Sequence, residues 1–243
     1  MKTTIFIGSC DKSDHLLAIA TILSRLGRKV LLVDATTSQW MSYRIGKWAE
    51  KIKIVSWSGF DVAVNIMNWE ELEERTACSG ESVFMYDDVI VDTDRVVFCE
   101  PQRWSEAEHR LLTQTMERYC VHKNIEWLHT FNIVQNEEEK LTFIPVMLRE
   151  LDDDDFEFVA ERYRSAFTHE WASAVISIPD DEVDWVAKLT YEYEEFIALH
   201  EYAKQTKIAW RQLCELIVGP IADKSWKQCL KTDRKGRTNY AAM

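Results

Sequence analysis

A lysine followed by a serine ends a short loop near the start of the chain, where both side chains could serve a phosphate group. The loop spans Gly8–Ser13, reads GSCDKS and follows the apolar run Thr3–Ile7. Backbone N–H groups at a helix N-terminus favour anions, an adjacent lysine neutralises phosphate charge, and a serine hydroxyl can hold Mg²⁺. These residue types indicate chemistry on a phosphate, with Lys12 on the anion and Ser13 on the metal.

Two strands and a helix are predicted to position this loop. The run before it is a strand, and the helix after it has apolar residues at 3.6-residue spacing before Gly27 ends it. Its apolar residues are Leu16, Ile19, Ala20, Leu23 and Leu26. A second strand over 29–33 ends on Asp34. The order of strand, loop with Lys-Ser, helix, strand and Asp is the layout of a P-loop nucleotidase.

Strands and helices alternate along the rest of the chain. Two β-type runs at 52–57 and 62–66, split by Ser58-Gly59-Phe60, predict a hairpin or a closely spaced strand pair. Further strands are predicted at 127–134, 141–145 and 174–178, and further helices at 69–77, 104–119, 156–167, 182–200 and 203–218. The pattern predicts an α/β fold with a doubly wound, mainly parallel sheet and helices on both faces.

The segment 82–99 is the most strand-prone part of the chain, and its topology has two interpretations. Three residues separate Asp92 from the apolar run that begins near Val96. Adjacent parallel strands need a crossover of about a dozen residues or more. The segment is therefore an antiparallel hairpin, or one of its strands is not a strand. An alternative ends the acidic strand at Asp87 and Asp88. Each version leaves no room for a normal nucleotide-sensing switch.

Composition and charge narrow the function classes. The chain has 243 residues, 47% of them apolar, which is enough for a full core. A net charge of −12 argues against nonspecific or sequence-specific nucleic-acid binding by the body of the protein. Six scattered cysteines lack metal-ligand spacing, and no apolar run approaches the ~18 residues of a membrane span. We expect a cytoplasmic protein.

A basic stretch at the C-terminus predicts a separate, flexible tail over 222–243, after a single domain over 1–221. Its basic residues are Lys224, Lys227, Lys231, Arg234, Lys235 and Arg237. Either this tail is a solvated end, or it makes a weak contact with an anionic membrane or an acidic partner. In the second case Trp226 and Leu230 would be apolar anchors and the protein would be peripheral to the membrane.

Four segments resemble the ParA/MinD family of P-loop ATPases, of the SIMIBI class, in family order and over nearly the whole chain. Residues 27–34, GRKVLLVD, match the family's second strand, and 86–93, YDDVIVDT, look like its Walker B strand. Residues 94–101 resemble the strand that follows. Ile178-Pro179-Asp180 stands where the family has an Ile-Pro-x-Asp element near the adenine pocket.

The resemblance implies a nucleotide site, and it also exposes departures from the family pattern. The implied nucleotide-binding residues are Gly8, Asp11, Lys12, Ser13, Asp34, Asp92 and Pro179, with Ser13 and Asp92 on Mg²⁺ if a nucleotide binds. Asp11 replaces the glycine that precedes the lysine, Phe6 replaces a loop glycine, and Ile7 replaces the signature lysine that reaches the dimer partner's nucleotide. We assign no catalytic residue.

The expected effects of these departures on phosphate affinity and on the rate of hydrolysis are large. A carboxylate about 4 Å from a phosphate oxygen costs about 4 kcal/mol at an effective dielectric constant near 20. That cost corresponds to roughly a thousandfold in affinity. The cation that the signature lysine supplies belongs to a class of contact worth about 10³–10⁵ in rate for trans-acting arginines.

Two hypotheses follow from the sequence. The first is a degenerate ParA/MinD-like pseudo-ATPase with lost or severely weakened ATP binding and hydrolysis and no expected cofactor, which acts as a homodimeric scaffold or localisation factor for an unidentified protein. It resembles divergent family members of the TadZ and CpaE types, which serve as localisation factors for secretion or pilus machinery. The second is an active Mg-ATP-dependent dimerisation switch with an atypical loop. Structural roles for Lys12 in a turn and Ser13 as a helix cap are equally compatible with the residues. Among the tryptophans, Trp40, Trp57, Trp69 and Trp185 are candidates for interface positions.

Overall fold

The computed structural model describes residues 1–46, 54–135, 141–152, 154–166 and 169–231. The strands are β1 (Lys2–Ile7), β2 (Val30–Ala35), β3 (Ile54–Trp57), β4 (Phe60–Ala63), β5 (Asp88–Thr93), β6 (His109–Gln114), β7 (Leu141–Glu150), β8 (His169–Trp171) and β9 (Ile176–Pro179). The helices are α1 (Ser13–Arg25), α2 (Trp40–Arg44), α3 (Trp69–Cys78), α4 (Pro101–Glu106), α5 (Arg118–Gln135), α6 (Asp155–Ala166), α7 (Glu182–Thr190), α8 (Lys204–Val218) and α9 (Asp223–Cys229).

In the described residues these strands form one sheet in the order β3-β4-β2-β5-β1-β6-β7, with β8 and β9 both paired to the long strand β7. All pairs are parallel except the β3–β4 hairpin. Parallel strands bring their carboxyl ends to one edge of the sheet, where ligands bind in this fold class. The predicted doubly wound, mainly parallel α/β sheet is confirmed.

The sheet separates two hydrophobic cores, as the side-chain alternation of a strand requires. In β1, Phe6 packs into the core that contains α1 and α8, while Ile5 and Ile7 pack into the core that contains α3, α5 and α6. Because the central strands are covered on both faces, they are apolar throughout rather than alternating.

Strand β5 carries a buried carboxylate at each end. Asp88 starts the strand and receives two hydrogen bonds from the Arg28 guanidinium, at 2.6 and 2.8 Å. Asp92 lies four residues further along and therefore points to the same face of the sheet. Its partner is described with the site below.

Two predicted elements were wrong in type. The predicted helix over 104–119 is a short helix, α4, followed by strand β6, and the predicted strand over 127–134 lies inside the helix α5. Leu111 and Leu112 are fully buried in the central part of the sheet, and short buried strands cannot be told from helices by periodicity alone. In α5, Trp127, Leu128 and Phe131 form a helical buried face despite their strand-forming types.

The segment after β5 resolves the ambiguity at 82–100. Residues Val83–Met85 and Val96–Cys99 are 3₁₀ turns rather than strands, and neither the predicted hairpin nor a strand that ends at Asp87 and Asp88 is observed. The connection from β5 to β6 contains a 3₁₀ turn and the helix α4. Strand β6 pairs with the edge of β1 that faces away from β5. The alternative in which one of the predicted strands is not a strand is therefore confirmed, since Val96–Cys99 is a turn. The absence of room for a normal nucleotide-sensing switch stays a prediction.

The expected tail is partly structured. Helix α9 lies inside the range predicted to be flexible, Trp226 is 8% exposed, and Leu230 packs against the same core. Arg25 donates hydrogen bonds to the carbonyls of Cys229 and Lys231. Trp226 is therefore a core residue, and the prediction that it anchors a membrane contact was wrong.

The basic residues of this segment divide into two groups. Lys224, Lys227 and Lys231 are exposed. Arg234, Lys235 and Arg237 lie outside the described residues.

Gly8 permits a close approach that no other residue type would allow. Its φ is +143°, and a Cβ built on it would lie 2.2 Å from the carbonyl oxygen of Thr113 in β6.

We expect Gly8→Ala to lower the free energy of unfolding by about 1–2 kcal/mol for the backbone conformation plus about 1–3 kcal/mol for overpacking. Gly27→Ala is the matched control because Gly27 also has positive φ, +86°, but no atom within 4 Å. Urea titration of both variants measures the difference, and equal losses would contradict this account.

Candidate functional site

Lys12 is buried and satisfied by the protein itself. Its ammonium lies 2.8 Å from Asp92 Oδ1 at the end of β5, and it donates hydrogen bonds to the carbonyls of Gly8 and Cys10 at 2.6 and 3.2 Å. The side chain is 2% exposed. Lys12 thus makes one ion pair and two hydrogen bonds within the protein.

The pKa values of this pair reflect burial and mutual attraction. Burial raises the pKa of Asp92 to about 7, against the opposing effect of the Lys12 charge. Burial alone would lower the pKa of Lys12, but the Asp92 carboxylate outweighs it and raises that pKa above its ordinary value. Lys12 therefore remains charged, while Asp92 ionises less readily than an ordinary aspartate.

Asp11 occupies the beginning of α1. Its Oδ1 accepts hydrogen bonds from the Ser13 backbone N–H at 3.0 Å and from the Ser13 hydroxyl at 2.6 Å. A helix N-terminus attracts anions through its unpaired N–H groups and its dipole. The Asp11 carboxylate is thus the anion at this helix end, and the hydroxyl predicted to hold Mg²⁺ donates its hydrogen to it.

Lys188 of α7 faces Asp11 from the other side of the loop. Its ammonium lies 3.3 Å from Asp11 Oδ2 and 2.7 Å from Asp14 Oδ2. Burial raises the pKa of Asp11. The Lys188 charge and the hydrogen bonds from Ser13 lower that pKa by more than burial raises it, so the net pKa lies below its usual range. Asp11 is therefore an ionised group inside an ion-pair network.

Arg44 extends this network towards α7. Its Nε lies 2.9 Å from Asp14 Oδ1, and both side chains are buried. The guanidinium also donates to the carbonyls of Glu192 at 2.9 Å and Tyr191 at 3.2 Å. Arg44 thereby ties α2 and α1 to the segment that follows α7.

Asp34 has a structural set of partners at the end of β2. Its carboxylate accepts hydrogen bonds from the Thr36 backbone N–H, the Thr36 hydroxyl and the Met41 backbone N–H. Burial raises the pKa of Asp34 despite these hydrogen bonds. The carboxylate orders the turn that leads into α2.

Asn124 of α5 is hydrogen-bonded to the loop. Its side-chain oxygen accepts the Ser9 backbone N–H at 3.0 Å, and its amide donates to the Thr113 carbonyl and to the Tyr163 hydroxyl. The Cys120 thiol also lies here, and its interaction with the Cys10 thiol lowers the pKa of Cys120 to about 7. The Ser9 N–H of the loop is thus taken by a side chain.

Pro179 lies at the end of β9. It lines a cavity of about 60 Å³ together with Asp11, Trp185, Lys188 and Tyr202. At this cavity Lys188 of α7 forms an ion pair with Asp11 of the loop.

The structure brings most of the predicted site residues to the carboxyl edge of the sheet. Lys12 contacts Asp92, and Asp11 contacts Ser13, while Asp34 is bonded to its own turn. Sequence reasoning missed the residues that complete the cluster. These are Asp14, Arg44, Asn124 and Lys188. Lys188 lies 177 residues from Asp11 in sequence, so no local spacing could reveal their contact.

A parallel sheet, a Lys-Ser loop between β1 and α1, and an aspartate at the end of the neighbouring β5 together define a P-loop NTPase fold of the ParA/MinD type. The comparisons with solved structures agree at the level of the fold. At 13–16% identity they establish no more than that.

Three solved structures illustrate the similarity. The MinD cell division protein of Aquifex aeolicus has a TM-score of 0.54 and 13% identity, covering 91% of this chain and 99% of that chain. A plasmid partition protein of Borrelia burgdorferi bound to AMPPNP has a TM-score of 0.52 and 16% identity over 90% and 97%. Cobyrinic acid a,c-diamide synthase of Mycobacterium smegmatis, with an ATP analog and magnesium, has a TM-score of 0.56 and 13% identity over 88% and 93%.

No protein-family model matches the chain, and no curated protein matches it either. Across the described residues, every helix is too short or too polar to cross a membrane.

The Lys12–Asp92 pair makes an asymmetric prediction. Asp92→Asn leaves a buried ammonium without its counter-charge, and we expect a loss of about 3–5 kcal/mol in the free energy of unfolding. Lys12→Met leaves Asp92, which can neutralise itself by protonation. In that variant the folded pKa of Asp92 stays above its unfolded value, so the folded state binds the extra proton. Stability should therefore fall as pH rises from about 4 through 7 and beyond.

Denaturant titrations of wild type and Lys12→Met between pH 5 and pH 9 measure this effect as a difference. Lys2→Met is the control, because Lys2 pairs with Glu108 on the surface at 3.0 Å and should show little pH-dependent difference. A Lys12→Met protein whose difference from wild type does not change with pH would show that the two groups are not coupled.

Proposed function

We propose that this chain is a degenerate ParA/MinD-like protein with lost or severely weakened ATP binding and hydrolysis. It acts as a dimeric scaffold or localisation factor through protein–protein contacts. The observation that carries the proposal is the loop over Gly8–Ser13, in which Lys12 is buried, paired with Asp92 and hydrogen-bonded to its own loop, and Asp11 stands at the helix N-terminus.

The residues of the loop do not fit a magnesium nucleotide as they are arranged. A phosphate at the start of α1 would meet the Asp11 carboxylate, and about 4 kcal/mol of repulsion at about 4 Å opposes it. Lys12 would have to leave Asp92 to reach the phosphate, and a buried Asp92 without its cation is unfavourable. The Ser13 hydroxyl would also have to exchange Asp11 for the metal.

One observation favours the alternative, an active Mg-ATP-dependent dimerisation switch. Lys12, Ser13 and Asp92 stand together at the carboxyl edge of the sheet, in the order of a working P-loop site. In this case Lys188 and Lys12 would release their carboxylates when the nucleotide arrives. The free energy needed to break those pairs would still weaken the binding.

Exposed apolar side chains support the dimer part of the proposal. Several segments that follow parallel strands leave large apolar residues in solvent at the same edge of the sheet. These are Trp40, Tyr43, Met67, Val97 and Tyr119. Contiguous exposed apolar patches mark protein contact sites, and the proposal is that these residues form one such patch. A homodimer that buries them would need no nucleotide between its subunits.

Nucleotide titration tests the proposed loss of binding. By isothermal titration calorimetry with Mg²⁺ and ATP, we expect no micromolar binding to the wild-type protein. Asp11→Gly should improve affinity by at least about tenfold, because it removes the anion and frees both Ser13 groups. Asp11→Asn is the matched control, since it removes the charge but keeps an acceptor for Ser13, and it should give a smaller gain.

A different result would identify the switch. Micromolar Mg-ATP binding by wild type, with hydrolysis that Lys12→Ala abolishes, would overturn the degenerate reading. The family resemblance would then extend to activity.

Light scattering tests the dimer. Without nucleotide we expect the mass of two chains, and we expect Tyr43→Glu to shift the protein to one chain, because Tyr43 is 61% exposed and lies on the proposed face. Phe158→Glu, at a half-exposed position on α6, should leave the mass unchanged. A monomer in all three cases would contradict the dimer proposal.

A further inference from the structure

Helix α7 is oriented with its charged side inward and its apolar side in solvent. Val183, Val186 and Leu189 are 51, 58 and 68% exposed, and Ala187 is the helix residue that is buried. Amphipathic surface helices normally show the opposite arrangement.

The inward side of α7 explains this orientation. Asp184 accepts hydrogen bonds from the Ala203 backbone N–H at 2.6 Å and from the Thr206 hydroxyl. Lys188 lies between Asp11 and Asp14 of the phosphate loop. Asp184 and Lys188 are thus committed to the protein, whereas Glu182 and the apolar residues Val183, Val186 and Leu189 face outward.

The exposed apolar side borders a groove. Val183, Val186 and Ala187 line one part of it, and Glu182 and Glu201 contribute carboxylates to its lining. The groove has a volume of about 410 Å³.

Two carboxylates, those of Glu182 and Glu201, line the groove, and the stretch of sequence that contains them is acidic. Between residues 180 and 201 the chain has eight carboxylates and one lysine, and that lysine, Lys188, points into the phosphate loop. The carboxylates belong to Asp180, Asp181, Glu182, Asp184, Glu192, Glu194, Glu195 and Glu201. An anionic membrane surface would be repelled here, whereas a cationic partner would be attracted.

We propose that the apolar face of α7, with Val183, Val186 and Leu189, is the docking site for a basic amphipathic helix of a partner protein. Apolar residues of that helix would pack against α7, and its lysines or arginines would meet the surrounding carboxylates. This inference deepens the proposed scaffold function and rests on it, because it names the kind of partner that the scaffold would hold.

A designed peptide tests the docking face. The probe is a fluorescein-labelled, amidated 18-residue helix with leucines along one face and lysines and arginines on the other, and the comparison peptide is a shuffled sequence of the same composition. By fluorescence anisotropy we expect the helix to bind wild type at least about tenfold more tightly than the shuffled peptide.

Val186→Glu separates docking from simple charge attraction. It removes an apolar contact but adds an acidic charge, so docking predicts at least a tenfold weaker binding of the helix, whereas charge attraction predicts equal or tighter binding. Phe158→Glu adds the same charge on α6 and should leave the affinity unchanged. Equal effects of the two substitutions, or equal binding of the shuffled peptide, would overturn the proposal.

Two further readouts keep the outcomes distinct. Circular dichroism should show a native fold for Val186→Glu, because Val186 is 58% exposed. If Val186→Glu converts a dimer into a monomer, a second copy covers this face and the proposal is wrong. All binding is measured without nucleotide, so a failure of the docking face leaves the calorimetric test of the phosphate loop unaffected.

Discussion

The buried pair of Lys12 and Asp92 is the interaction on which the rest of the site depends. Two charges that leave water must compensate one another. An unpaired Lys12 would stay charged in the core, whereas an unpaired Asp92 can become neutral by taking up a proton. Because Lys12 is held by Asp92 and two carbonyls of its own loop, the loop keeps one conformation without a ligand. A second set of ion pairs holds α1, α2 and α7 around that loop. It joins Lys188 to Asp11 and Asp14, and Arg44 to Asp14.

Most of the fold could be predicted because its signals are local. Short apolar strands, a Lys-Ser loop and a glycine stop identify β1, α1 and β2 within the first 35 residues, and the following alternation identifies the parallel sheet. The errors fall where packing overrides local preference. Residues 104–119 contain apolar residues at helical spacing, but these belong to α4 and β6. Val96–Cys99 is β-prone but forms a 3₁₀ turn that buries Phe98 and Cys99.

The candidate site was predictable as a set of residues but not as a set of contacts. Motif spacing identified Asp11, Lys12, Ser13 and Asp92, and the replacement of a loop glycine by Asp11 drew attention to an anion in the loop. The sequence could not reveal that Asp11 turns onto Ser13 or that Lys188 supplies its counter-charge. The contact with Lys188 depends on the position of α7, which is set by the tertiary fold. The outward apolar face of α7 follows from the same position.

The two carboxylates of β5 also bear on how the sheet is assembled. Asp88 meets Arg28 at one end of the strand and Asp92 meets Lys12 at the other, so both cations lie outside β5 and far from it in sequence. A slip of one residue in the β1–β5 pairing would turn both acids to the opposite face. A slip of two would leave at least one charge buried without its cation. The central strand therefore has a single favourable alignment, and misaligned chains are penalised before any binding partner is encountered.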